Sequence, residues 1–213
     1  MFEDRADAGR QLADKLRESG EAADWVLAVP RGGLPVGRAV ADALGAPLDV
    51  VVARKIGAPG NPELALGAVS SDGSAWLNQR VIDQLQVGAD YVEQARAHEA
   101  ENAARKREMY QSGGEPHLTD RAVVIVDDGI ATGATTIACV RHAYSRGAAR
   151  VVLAVPVAPP DTVRRLEHEA DAVVAVETPA DFMAVGQFYR HFQQVSDDEA
   201  RAYLEASPEG GEG

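Results

Sequence analysis

Short, uninterrupted apolar runs alternate along this chain with stretches of helical character, and few architectures accept that pattern. Trp25-Val26-Leu27-Ala28-Val29, Leu48-Asp49-Val50-Val51-Val52-Ala53, Ala122 to Val126, Val151 to Val155 and Ala172 to Val176 are strand-like runs rich in valine. A strand with one wet face alternates apolar and polar residues, whereas a continuous run marks a strand buried on both faces. Between the runs lie helical segments: Arg5 to Arg17 with Ala8, Leu12 and Leu16 on one side and Ser19-Gly20 at its end, a stretch to Ala43, Thr135 to Ser145, and Pro160 to Glu169. Strand–helix alternation of this kind predicts an α/β fold, a mainly parallel, doubly wound sheet flanked by helices.

Two regions depart from the pattern. Gly67-Ala68-Val69 and Ala75-Trp76-Leu77 flank Asp72-Gly73, which reads as a hairpin, and Gly57-Ala58-Pro59-Gly60-Asn61-Pro62 before them reads as a loop. From Ala89 to about Gln111 the chain is rich in Ala, Glu, Arg and Gln, so a long, polar, largely exposed helical excursion is expected, ended by Ser112-Gly113-Gly114-Glu115-Pro116. With 213 residues, 46% of them apolar, one domain over residues 1–206 is expected, followed by a disordered Gly- and Glu-rich tail at 207–213.

Composition then removes whole classes of function. Thirty-three acids against 21 bases give a formal charge of −12, which would repel nucleic-acid phosphates over most of the surface. The first residues, Met1-Phe2-Glu3-Asp4-Arg5, carry no basic-then-apolar pattern, and no apolar run reaches the roughly 18 residues of a membrane span, so a cytoplasmic protein is expected. The single cysteine, Cys139, can make no internal disulfide and reads as a small core residue; the five histidines show no metal-ligand spacing. Only three lysines occur, Lys15, Lys55 and Lys106.

In an open α/β sheet, ligands bind beyond the carboxyl ends of the strands. Three segments follow strand-like runs with suitable chemistry: Pro30-Arg31-Gly32-Gly33, Arg54-Lys55, and Asp127-Asp128 with its loop. Adjacent carboxylates at the end of a buried strand repel each other and lose hydration, so they call for cations or hydroxyl donors. Beyond them Gly129 and Gly133 permit close backbone approach, Thr132 and Thr135 supply hydroxyls, and a helix starting near Thr135 offers unpaired N–H groups to an anion. Acids for sugar hydroxyls beside a phosphate cradle describe a sugar-phosphate site. The lysine of a nucleoside-triphosphate loop is missing there, and no Gly-x-Gly-x-x-Gly follows a strand. A receiver domain would need another aspartate after the strand at 151–155, where Pro156-Val157 stands instead.

The run Val123-Val124-Ile125-Val126-Asp127-Asp128-Gly129-Ile130-Ala131-Thr132-Gly133-Ala134-Thr135 closely resembles the ribose-phosphate signature of type I phosphoribosyltransferases. That resemblance implies binding of phosphoribosyl pyrophosphate, PRPP. It gives Asp127 and Asp128 the ribose hydroxyls and, directly or through water, Mg²⁺. It gives Gly129, Ala131, Thr132, Gly133, Ala134 and Thr135 the 5′-phosphate. Ala131 departs from the Ser or Thr of many members, which removes one hydroxyl contact and leaves the amide. By position, Arg31, Gly32 and Gly33 resemble the family's pyrophosphate loop, and Arg54 and Lys55 its basic pair. Residues Gly57 to Gly67 look like the loop that closes over the substrate.

The segment from about 178 to 195 would form a small hood, with Phe182 stacking on a base. It resembles the base-binding stretch of hypoxanthine-guanine enzymes, but Phe182 and Gly186 stand one residue further apart and the expected acid is absent. The resemblance therefore implies a Mg²⁺-dependent pentosyltransferase of nucleotide metabolism or salvage, with Asp127, Asp128, Arg54 and Lys55 as its reacting groups, acting as a homodimer on PRPP and a nitrogen acceptor such as a nucleobase. A non-catalytic PRPP sensor and a hydrolase of phosphoribosyl compounds stay open as alternatives.

Overall fold

The computed structural model describes residues 1–110 and 116–206. Five strands form the central sheet: β1 (Trp25–Ala28), β2 (Leu48–Val50), β6 (Ala122–Val126), β7 (Arg150–Val157) and β8 (Ala172–Glu177). Their order is β2-β1-β6-β7-β8 and every pairing is parallel. Strand parity explains the two-sided burial. Val26, Val124, Val126, Val152 and Ala154 face one layer, where they meet Leu12 and Leu16 of α1 (Arg5–Glu18) and Val36 and Val40 of α2 (Gly33–Leu44). The alternate residues Leu27, Val123, Ile125, Val151 and Leu153 face the other layer, against Ile137, Cys139 and Val140 of α5 (Ala134–Ser145) and Leu166 of α6 (Pro160–Leu166). The doubly wound expectation is met.

From β1 the sheet grows outward to β2 on one side and through β6 to β8 on the other. The carboxyl ends of β1 and β6 therefore meet where strand order reverses, the position at which such sheets leave a crevice.

A second, antiparallel sheet is built from β3 (Ala53–Ala58), β4 (Asn61–Ser70) and β5 (Ala75–Leu77). The β4–β5 hairpin has the register expected around Asp72-Gly73, with Ala68 opposite Trp76. Two expectations are corrected here. The run from Leu48 to Ala53 is not one strand: pairing with β1 stops at Val50, and β3 begins at Ala53 in the other sheet. Residues 57–67 are not a loop but most of an antiparallel hairpin whose turn is only Pro59-Gly60. Buried Val51 and Val52 carry the chain between the sheets, so an unbroken apolar run hides the change.

After the short α3 (Gln79–Gln84) comes α4 (Ala89–Glu108), which packs on β3 and β4. It is polar as expected but is not an exposed excursion: Val92 packs in its first half against Ile56 and Leu66, Ala103 and Arg107 are buried near its end, and Arg107 Nη1 donates to the Val50 carbonyl at 2.7 Å. The helix stops at Glu108, and the expected terminator at 112–115 lies outside the described residues, as does the tail 207–213. A 3-10 turn at Val185–Phe188 lies in the hood, and α7 (Asp197–Glu205) packs on α2.

Candidate functional site

The loop after β6 shows how a contiguous segment can be shaped for an anion. Gly133 takes φ +76°, a left-handed conformation that glycine adopts freely, and it turns the chain into α5. Among the described residues, the amides of Ala131, Thr132, Gly133, Ala134 and Thr135 donate no hydrogen bond. Their carbonyl side is held from behind, because Thr162 Oγ1 of α6 donates to the Ala131 carbonyl at 2.7 Å and Arg165 donates to that of Thr132. Free amides and the positive end of a twelve-residue helix together suit an anion.

Asp127 and Asp128 stand at the mouth of this loop. Burial, and next the charge of Asp128, push the Asp127 carboxyl well above the usual carboxylate range. Burial also raises Asp128, although Arg5 acts against it. The amide of Asp128 donates to Asp127 Oδ1 at 2.9 Å, and Tyr189 donates its hydroxyl to the Asp128 carbonyl at 2.6 Å. Arg5 reaches from the first turn of α1 to place Nε 2.8 Å from Asp128 Oδ2, with both side chains largely buried. The same guanidinium donates to the Gln193 carbonyl at 2.6 Å and lies 3.9 Å from the centre of the Phe192 ring. Sequence reasoning places Arg5 only in a covering helix; its distance from Asp128 along the chain leaves no signal.

The loop after β1 closes onto the acids. A Cβ on Gly32 would fall 2.1 Å from Asp128 Oδ2, and one on Gly33 would fall 2.8 Å from the Val126 carbonyl oxygen. Both glycines are thus required by close approach, and the Pro30–Arg31 peptide is cis. Arg31 lies 3.5 Å from Asp197 of α7, whose carboxylate also accepts from the Tyr110 hydroxyl at 2.6 Å.

Arg54 and Lys55 do not follow a strand of the central sheet; they lie within β3. They line a cleft of about 400 Å³ with Gly57, Glu63, Glu99, Lys106 and Thr135, so the basic pair and the start of α5 share one space. Arg54 Nε is 3.0 Å from Glu99, and Lys55 Nζ is 3.1 Å from Glu63. Lys106, from the last turn of α4, donates to the Pro30 carbonyl at 3.1 Å. Burial, followed by the charges of Arg54 and Arg31, lowers its pKa. Sequence reasoning counts this lysine without placing it, since α4 carries no motif.

The hood holds an aromatic cluster. Phe182 stacks on Phe188 with ring centres 5.4 Å apart, and both pack beside Phe2, Val157 and Tyr189. Phe182 is half-buried in that cluster. Among the described residues no group of three or more His, Cys, Asp or Glu side chains could hold a metal.

Comparison with known proteins gives the family and the fold. The family model described as a phosphoribosyl transferase domain matches residues 71–192. Rv0571c of Mycobacterium tuberculosis H37Rv, provisionally named a phosphoribosyl transferase, is 48% identical over 206 residues, which cover 96% of this chain and 46% of that protein. The chain spans about half the length of the curated relatives it matches. The crystal structure of TT1426 from Thermus thermophilus is 42% identical with a TM-score of 0.82, over 96% of this chain and 97% of that one. A purine phosphoribosyltransferase from Pyrococcus horikoshii, 20% identical with a TM-score of 0.50 over 90% and 93% of the two chains, shares the fold.

Proposed function

Because this chain belongs to the phosphoribosyl transferase family, we propose that it transfers the phosphoribosyl group of PRPP to a nitrogen acceptor, most simply a nucleobase, and releases pyrophosphate. The observation that carries this reading is the junction of three parts at the switch point of the sheet. Five undonated amides at the start of α5 suit the 5′-phosphate, Asp127 and Asp128 suit the ribose hydroxyls, and Arg31, Arg54 and Lys55 suit the pyrophosphate.

In the reaction the bond from the sugar C1 to the pyrophosphate oxygen breaks, with the electron pair leaving on that oxygen. The acceptor nitrogen's lone pair forms the new bond, and its proton passes to solvent. Positive charge grows on the sugar while negative charge grows on the leaving group. Fixed cations aimed at the leaving group lower the barrier because they need no reorganisation at that moment. The Gly32-Gly33 backbone, pressed against both aspartates, brings the leaving-group side within reach of the ribose side.

Two adjacent carboxylates fit Mg²⁺, which commonly takes one or two protein carboxylates together with substrate phosphates. Asp127 and Asp128 would hold it, and the ion would supply charge neutralisation for the pyrophosphate. Burial of both carboxyls, together with the charge of Asp128 acting on Asp127, disfavours two free negative charges and supports that assignment. A homodimeric, cytoplasmic enzyme belongs to the same proposal; among the described residues no helix is long and apolar enough to cross a membrane.

The experiment is pyrophosphate release from PRPP and Mg²⁺ with a panel of purines, pyrimidines and small amines. Release dependent on one acceptor class is the expected result. Release without any acceptor would mean hydrolysis, and PRPP binding without release would mean a sensor.

A further inference from the structure

The polar helix α4 has no part in the division of labour just described, yet its last turn enters the same cleft. Arg107 and Ala103 fasten that turn, the first by its hydrogen bond to the Val50 carbonyl and the second by burial. Between them and the crevice, Lys106 is held with Nζ at the Pro30 carbonyl. Of the other two lysines, Lys15 donates to the Val176 carbonyl on the surface, and Lys55 lines the same cleft but pairs with Glu63. Lys106 makes no ion pair among the described residues.

Its surroundings make that unusual. The charges that act on it most are those of Arg54 and Arg31, and only then those of Asp197 and Asp127. Arg31 and Arg54 each have a carboxylate partner, Asp197 and Glu99, whereas the half-buried Lys106 ammonium has only a carbonyl, so an anion in the cleft would offset its lost hydration and the nearby like charges. Lys106 also lines the cleft with Arg54, Lys55 and Thr135. One of its three N–H donors is used by Pro30, which leaves two for a ligand.

We propose that Lys106 is a leaving-group residue: its ammonium, delivered by α4, takes a phosphate oxygen of the pyrophosphate group together with Arg31 and Arg54. This rests on the reading of the site as one for PRPP. Helix α4 then has a function, which is to add a fourth cation to Arg31 of the β1 loop and to Arg54 and Lys55 of β3.

The test is calorimetric titration of the wild type, Lys106→Gln and Lys106→Arg with three probes: PRPP, inorganic pyrophosphate and ribose 5-phosphate, each with Mg²⁺. Gln retains an N–H donor for the Pro30 carbonyl and removes the charge, and matched melting temperatures confirm that each variant is folded. The expected result is that Lys106→Gln loses on the order of 10- to 100-fold in affinity for PRPP and pyrophosphate. Affinity for ribose 5-phosphate should stay within about twofold, and Lys106→Arg should recover most of the loss. Unchanged PRPP affinity in Lys106→Gln, or an equal loss on all three probes, would overturn the proposal. If Lys106→Gln does not fold, the Arg variant decides: pyrophosphate affinity near the wild-type value supports an anion contact, and a selective loss for ribose 5-phosphate contradicts it. A wild type that binds none of the three probes overturns the PRPP reading itself, and the role of Lys106 with it.

Discussion

The two arms of the cleft offer hydrogen-bond donors to an anion in opposite ways. On the β6 side the donors are backbone amides, neutral, fixed by a helix and by Thr162 and Arg165 behind them, and without competing acceptors. On the other side the donors are side-chain cations that are already engaged: Arg31 with Asp197, Arg54 with Glu99, Lys55 with Glu63, Lys106 with a carbonyl. The first set of donors is unengaged; to take an anion the second would have to release three carboxylates and a carbonyl. The difference suits a donor whose ribose phosphate stays bound through the reaction while its pyrophosphate has to arrive and leave.

Breaking the seam between the arms should have the largest effect. Gly32→Ala puts a methyl group into the space of the Asp128 carboxylate, which cannot yield without leaving Arg5. A loss of about 3 kcal/mol in stability is expected, because a largely buried ion pair is broken while both charges remain. PRPP affinity should fall with it, and urea denaturation alongside calorimetry checks both.

Gly133→Ala should separate the arms. At φ +76° an alanine is strained by about 1–2 kcal/mol, and the strain falls on the amide cradle. Ribose 5-phosphate affinity should drop by roughly tenfold, with pyrophosphate affinity retained. Equal losses for both ligands would show that the arms are not independent.

A smaller effect is expected at the joint that carries the second arm. Asp72, in the β4–β5 turn, receives Ser145 Oγ of α5 at 2.6 Å and lies 3.1 Å from His142 Nδ1. Its burial acts to raise the carboxyl, but the nearby His142 ring and hydrogen bonds from Ser145, Ser70 and the Ser74 amide outweigh that and hold it well below the usual range. A folded value below the unfolded one stabilises the native state above about pH 4, and the contribution is lost as the pH falls further. Asp72→Asn should therefore cost about 1 kcal/mol at pH 7 and progressively less as the pH drops below about 4. Thermal melts of both proteins across that range provide the check, and a constant difference would refute it.

Glu99→Gln should have the smallest effect and the opposite sign. Freeing Arg54 from a partly exposed ion pair, worth about 0.2–1 kcal/mol, should tighten pyrophosphate binding by roughly two- to fivefold. Weakened binding would mean that Glu99 orients Arg54 instead of competing for it.

The same contrast decides how much could be read from the sequence. The β6 arm is contiguous: strand, acids, turn glycine and helix start follow one another from Val123 to Thr135, so local rules suffice. The parallel sheet was legible for a similar reason, because burial on both faces writes itself as unbroken Val-rich runs. The second arm is assembled from β1, β3, α4 and α7, and what joins it is packing. Lys106 depends on Arg107 finding the Val50 carbonyl, and Arg5 on a reach of 123 residues to Asp128. Neither leaves a pattern in its own neighbourhood. The break between β2 and β3 was hidden because Val51 and Val52, which span it, are themselves buried, and burial alone cannot say in which sheet a residue lies.

The central claim is that Asp127 and Asp128 join the two arms into one PRPP site. Calorimetric titration of PRPP with Mg²⁺ into the wild type and Asp128→Asn tests it most directly. Saturable binding by the wild type and none measurable by the variant is the result this account predicts; undiminished binding by Asp128→Asn, or none by the wild type, would contradict it.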